Sequence, residues 1–339
     1  MVAMATIATH RLTGHMTTPP ASRRAVRFDR FGPPEVLSLV TEPLPGPGPG
    51  DVVVAVAAVG VNFADTMTRR GEYRRDQALP DVPGVEVVGT VVWAGPDSGH
   101  AVGTPVAAFL PDGGGYTDHA VVSGHRAYVV PAGLDPVTVA GAFLQGITAW
   151  YAVDRFGRTR AAETVLVSGA TGGVGGMAVQ LAADVGARVI GTASTPEKRA
   201  EALDLGCAEA VDPADPDLRR TVKSVDVVVD VVGGAVFAAA LDALAHNGRF
   251  VVVGSSTQQP ATFDARRLIP RGQTMSGFVL RRVFEADPGE PARAIAHVLD
   301  RVAAGAVRLR TETFALADAA HVHTLLEERR TVGKIVLVP

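Results

Sequence analysis

The chain has 339 residues, enough for two domains, and is 47% hydrophobic against 20% charged. That balance excludes a disordered or linker-like protein. Lys and Arg number 32 and Asp and Glu 35, a net charge of −3, so no broad basic surface for nucleic acid is expected.

A single cysteine, Cys207, excludes an internal disulfide and a multi-thiolate zinc site. It points to a reducing compartment, the cytoplasm. No apolar run reaches the roughly 18–20 residues that a membrane-spanning helix needs. Lysine occurs only at positions 198, 223 and 334. The preference for Arg, with much Ala, Val and Gly, fits a GC-rich bacterial genome.

Residues 1–24 lack apolar periodicity and read as a mobile tail outside the fold. From Ala25 to about Val130 the pattern is strands and turns. Asp51–Val59 is a β-branched run, and Val85–Ala94, Val102–Phe109 and Thr117–Val122 are further strand candidates between Gly and Pro clusters. Gly113–Gly115 reads as a tight turn. Such spacing predicts a small, barrel-like β domain.

After Pro136 the period changes. Thr164–Ser168 is continuously apolar, followed by a glycine cluster and an amphipathic stretch through Val174, Met177, Ala178, Leu181, Ala182 and Val185. Arg188–Thr192, Ala208–Asp212, Val225–Val232 and Arg249–Gly254 follow as short apolar strands, most of them separated by helical segments. This alternation predicts an α/β fold with a doubly wound parallel sheet covered on both faces. The chain ends in a helix-like Asp318–Glu328 and a strand, Lys334–Val338.

Gly169, Thr171, Gly172, Gly173, Val174 and Gly175 lie between the first apolar strand and the amphipathic helix. A Rossmann dinucleotide site requires that placement. Glycines permit the tight turn and let backbone N–H groups approach a pyrophosphate at the positive helix end. The end of the second strand selects the nucleotide. An NAD site usually places an acidic residue there, whereas this chain has Ser194 followed by Lys198 and Arg199. A hydroxyl and a cation suit a 2′-phosphate and favour NADP(H). The structural alternative is a solvated helix face.

The motifs Val59–Asp65, Arg70–Tyr73, Pro83–Glu86, Gln145–Ala149, Gly169–Gly175, Asp230–Gly233, Gly248–Phe250 and Gly333–Lys334 occur in one order. Over residues 25–339 the chain resembles the quinone oxidoreductase (zeta-crystallin) branch of the medium-chain dehydrogenase/reductases. The resemblance implies a GroES-like catalytic domain, 25–145 with 286–339, and a Rossmann cofactor domain, 146–285. It implies a homodimer formed by edge pairing near Thr274–Val279. It also implies cofactor contacts from Asn62, Thr148, Val232, Gly254, Ser255, Phe278, Arg329 and Lys334, with Arg329 either close to the 2′-phosphate or a solvated helix charge.

In the sister branch, the zinc alcohol dehydrogenases, three ligand positions correspond to Asn62, Val85 and Leu144. None of these side chains replaces thiolate or imidazole, so no metal is expected. Without a Lewis acid, the implied chemistry is hydride delivery from NADPH to a quinone or α,β-unsaturated carbonyl. Asn62 is the first catalytic candidate, donating an amide hydrogen to a developing oxyanion or to the nicotinamide ribose. Its structural alternative is an Asx turn. Tyr73 is the second, as a cleft residue that could instead pack against its turn. Thr148 contacts the nicotinamide or caps its helix. Asp65 and Glu86 read as residues that orient Asn62, without acid–base roles. Two other functions fit the pattern. One is an enoyl-thioester reductase, in which Arg281 and Arg282, otherwise ordinary surface charges, would meet a phosphopantetheine phosphate. The other is an NADPH-binding redox sensor without efficient turnover.

Overall fold

The computed structural model describes residues 18–74, 77–215, 218, 222–257, 259–287 and 289–339. Most of the expected tail lies outside the described residues. Its last three residues belong to a strand: β1 (Ser22–Arg27) pairs antiparallel with β2 (Ser38–Pro43). The buried Arg23 guanidinium holds Glu42 at 2.8–3.0 Å. A paired arginine of this kind carries no apolar signal, which is why the strand start was not legible.

A long strand, β3 (Asp51–Gly60), leads into helix α1 (Phe63–Arg69) and organises an antiparallel sheet with β4 (Glu86–Ala94), β5 (Pro105–Phe109), β6 (His119–Ser123) and β7 (Ala127–Val129). One edge of β3 pairs with β4 throughout, while the other pairs with β6 over residues 51–55. β5 begins at Pro105 rather than Val102 because residues 101–104 turn, with Gly103 at φ +89°.

Helix α2 (Pro136–Trp150) starts at Asp135, whose carboxylate caps Thr138 N at 2.9 Å. A parallel sheet follows: β8 (Thr164–Val167), α3 (Gly173–Asp184), β9 (Arg188–Thr192), α4 (Pro196–Asp204), β10 (Glu209–Val211), β11 (Val225–Asp230), α5 (Gly234–Ala243), β12 (Leu244–Val252) and β13 (Thr274–Gly277). Its spatial order is β10-β9-β8-β11-β12-β13, parallel at every pair. In order along the chain that is 3-2-1-4-5-6, the doubly wound dinucleotide arrangement. Ligands of such sheets sit at the carboxyl ends of the strands where the order reverses, here between β8 and β11.

Helices α6 (Leu280–Ala286) and α7 (Glu290–Ala303) come next. α7 packs on α2, burying Ala294, Ile295, Val298 and Leu299 in a core shared with β8, β11 and α3. The chain then forms β14 (Thr311–Ala315), α8 (Ala319–Glu327) and β15 (Lys334–Val338). β15 joins the antiparallel sheet, antiparallel to β3 through Val59 and Gly60. A second core lies inside that sheet, from Val52, Val54, Val87 and Val106 to Ile335 and Leu337.

Candidate active site

The glycine turn is held from below by side chains at the ends of three neighbouring strands. Ser168 Oγ donates to Asp230 Oδ1 at 2.6 Å, and that carboxylate also accepts the N–H groups of Val232 and Gly233 at 3.0 and 3.1 Å. Gly169 N donates to Thr192 Oγ1 at 3.2 Å. Gly169 is left-handed, at φ +63°, and a Cβ on Gly175 would overlap its carbonyl oxygen. Only glycine lets helix α3 approach the turn this closely. The first turn of α3 carries no acidic residue, so its positive end is free to face an anion. These features fit a dinucleotide pyrophosphate.

At the far end of the same crevice, Ser194 is exposed just past β9. Lys198 Nζ reaches 131 residues along the chain to donate to Arg329 O at 3.3 Å, so Lys198 and Arg329 share one patch. Arg199 is spent elsewhere, on Asp212 at 2.9 Å and on Ala193 O at 3.1 Å. Past β11 and β12, Thr257 ties back to Val232 O at 3.0 Å, and Ser255 lies beside Gly233. Gly254 and Phe278 help line an open hollow of about 810 Å³, where Phe278 stacks on Phe156 at 4.8 Å. Neither Asn62, Tyr73 nor Lys334 lines that hollow.

The two sheets meet where Gly172 and Gly333 form a parallel bridge and Gly333 N donates to Thr171 O at 3.3 Å. The next residue, Lys334, enters a buried ionic cluster. Lys334 Nζ lies 2.6 Å from Glu86 Oε1 and 2.8 Å from Asn62 Oδ1. Asn62 Nδ2 donates to the same Glu86 oxygen at 2.8 Å and to Gly60 O at 3.3 Å. Leu144 N donates to Glu86 Oε2 at 3.1 Å. Glu86 is fully buried and Lys334 2% exposed. Asn62 precedes α1, and its N–H is capped by Asp65 Oδ2 at 2.8 Å. Both amide hydrogens of Asn62 thus have protein acceptors, and its carbonyl oxygen faces the ammonium.

Tyr73 is 46% exposed, and Asp65 and Arg281 both act on it electrostatically. Partial burial, then the charge of Asp65, hold its phenol above the ordinary range, so it is protonated at neutral pH. Thr148 lies in the last turn of α2, not at a cap, and donates its hydroxyl to Leu144 O at 2.7 Å. Arg281 pairs with Asp112 at 2.9 Å and Arg282 with Glu285 at 2.8 Å. Cys207 is buried against Gly191, its thiol pushed up to about 12 by burial, as suits an inert core residue.

Comparison with known proteins places this architecture. Residues 48–155 match the alcohol dehydrogenase GroES-like domain, and residues 173–298 match the zinc-binding dehydrogenase family. A quinone oxidoreductase of Pseudomonas aeruginosa is 33% identical over 93% of this chain and 99% of its own. The chain belongs to the quinone oxidoreductases of the medium-chain dehydrogenase/reductase superfamily. The quinone oxidoreductase of Escherichia coli, solved in complex with NADPH, superposes with a TM-score of 0.87 at 28% identity, covering 94% of this chain and all of the other. A 2-haloacrylate reductase of a Burkholderia species is 32% identical over 83% of this chain and 89% of its own.

Sequence reading did not foresee the bond between Lys334 and Glu86. One signal was available. In a chain that uses Arg almost throughout, a lysine persists at position 334, where a compact point charge suits a single buried carboxylate better than a planar fork does.

Proposed function

We propose that this quinone oxidoreductase homologue is an NADPH-dependent reductase of quinones and activated C=C bonds that works without a metal. The observation that carries the reading is the Gly172–Gly333 bridge, which sets the cofactor turn one residue from Lys334 and its partners. When bound, the reduced dinucleotide supplies a hydride from its nicotinamide.

Gly169, Gly172 and Gly175 admit the pyrophosphate, while Ser194, Lys198 and Arg329 hold the 2′-phosphate. Val232, Gly254, Ser255 and Phe278 border the nicotinamide half, and Thr148 offers an oxygen that can accept. The three positions that hold zinc in the sister branch read Asn62, Val85 and Leu144, and two of them hydrogen-bond Glu86. The cation against Glu86 is Lys334. It supplies fixed positive charge without a Lewis acid, and preorganised charge of this kind stabilises an oxygen that becomes negative as hydride arrives. Asn62, fastened on three sides, keeps the floor of the cleft rigid. Tyr73, protonated and partly exposed, orients the substrate at the mouth. Association into a homodimer would use β13, the sheet's end strand.

NADPH consumption against quinones, enones and acyl-thioesters tests this reading. Turnover with quinones and enones is expected. Turnover with thioesters alone would replace it with an enoyl-thioester reductase, and tight NADPH binding with no turnover would leave a binding protein.

A further inference from the structure

Behind Asn62 lies a second buried polar assembly that hydride transfer does not use. Asp65 of α1, Tyr116 from the loop before β6 and His323 of α8 are all fully buried. Tyr116 Oη lies 3.2 Å from Asp65 Oδ2 and 3.0 Å from His323 Nε2, with the two rings edge-on. Asp65 Oδ2 is the atom that caps Asn62 N. At the two ends, Asp65 Oδ1 and His323 Nδ1 are buried with no hydrogen-bond partner among the described residues.

A phenol between a carboxyl and an imidazole can hold its hydrogens in two arrangements. In one, His323 Nε2–H donates to Tyr116, whose O–H donates to the Asp65 carboxylate. In the other, protonated Asp65 donates to Tyr116, whose O–H donates to Nε2, and the imidazole hydrogen sits on Nδ1. One proton gained at Nδ1 converts the first into the second. The Nε2–H bond breaks as a new Oη–H forms, and the phenol's own O–H breaks as Oδ2–H forms. Only the carboxyl changes charge.

We propose that Tyr116 and His323 are positioning residues which act with Asp65 as one proton-coupled unit. When the unit takes up a proton, His323 moves its hydrogen from Nε2 to Nδ1 and Asp65 loosens its hold on Asn62. Oδ2 as carboxylate accepts two charge-assisted hydrogen bonds, from Asn62 N–H and Tyr116 O–H. Once protonated, it offers Asn62 a weaker, neutral acceptor.

The surroundings set the range. Burial raises Asp65 to about 7, against the lowering effects of the Asn62 N–H, Lys334 and the Tyr116 hydroxyl, while Glu86 raises it further. His323 is held down to about 3 by burial and by Arg69 and Arg70 at the end of α1, so the ring stays neutral and only its tautomer changes. Glu327, one turn along α8, pairs with both arginines, and Glu35 also faces Arg69.

This inference rests on the reductase reading, and its test has an arm that does not. In the full chain with 15N-labelled histidine, NMR between about pH 5.5 and 9 should show His323 passing from the Nε2–H to the Nδ1–H tautomer as pH falls through the neutral range. With NADPH and a quinone, kcat in the parent should increase with rising pH across the same range. Asp65→Asn should run pH-independently at the low-pH level, about tenfold or more below the parent plateau. Tyr116→Phe should displace the rise to higher pH by removing a donor to the charged form. A single His323 tautomer throughout would overturn the proposal, as would an unchanged kcat profile in a folded Asp65→Asn protein. Absence of turnover in the parent would count against the reductase reading alone, and the NMR result would still decide the switch.

Discussion

The cofactor turn and the Glu86 cluster lie one residue apart across the Gly172–Gly333 bridge, and they are built in opposite ways. The turn is seven consecutive residues whose proposed function rests on missing side chains and aligned backbone N–H groups. The cluster is three side chains drawn from positions 62, 86 and 334, each satisfying the others, with Glu86 and Lys334 buried. A backbone site fails when something is added to it. A buried ionic site fails when something is taken away.

Removing one charge should therefore have the largest effect. Lys334→Met leaves Glu86 fully buried with no counter-charge, and the expected loss is about 3–5 kcal/mol of folding stability by urea denaturation. Adding Glu86→Gln should recover much of it, since the uncompensated charge is then gone. If the single and double variants prove equally unstable, the cluster is held by packing rather than by charge.

Adding to the turn comes next. Gly175→Val places side-chain atoms against the Gly169 carbonyl and should weaken NADPH binding by about hundredfold, ~2.7 kcal/mol. Titration of the cofactor into the folded variant measures this. Unchanged affinity would mean that the pyrophosphate lies elsewhere.

A smaller change tests the far end of the same crevice. Ser194→Asp should reverse a preference for NADPH over NADH, because a carboxylate repels the phosphate and accepts both ribose hydroxyls. The bond it replaces is worth about 1.5–3 kcal/mol, or roughly ten- to hundredfold in affinity. Equal dissociation constants for both cofactors in the parent would show that Ser194, Lys198 and Arg329 do not read the phosphate.

The least effect is expected at the rim. Arg281→Ala breaks an ion pair with Asp112 whose partners are 40% and 63% exposed, so stability should fall by about 1 kcal/mol or less. A loss as large as that of Lys334→Met would erase the contrast between rim and interior.

The same contrast governs what could be read from sequence. Strands β8, β9 and β11 and helix α3 stood out because apolar runs and glycine punctuation are local. Gly169–Gly175 was legible for the same reason. Glu86 was recognised as a neighbour of Asn62 but not as its partner in a bond to Lys334, since 248 residues separate the two charges. Tyr116 and His323, 207 residues apart, gave no signal, as each looks like an ordinary core residue until β15 returns beside β3 and sets α8 against α1. Lys198 and Arg199 were equivalent by position, and only the fold shows Arg199 turned toward Asp212.

With Lys334 as the fixed charge where the sister branch uses a metal, the proposed hydride transfer needs no metal ion. The most direct test is NADPH-dependent quinone turnover by protein that has been exhaustively chelated and then analysed for metal. An undiminished rate with substoichiometric zinc is expected. Stoichiometric zinc whose removal abolishes turnover, and whose return restores it, would contradict a metal-free site built on Lys334.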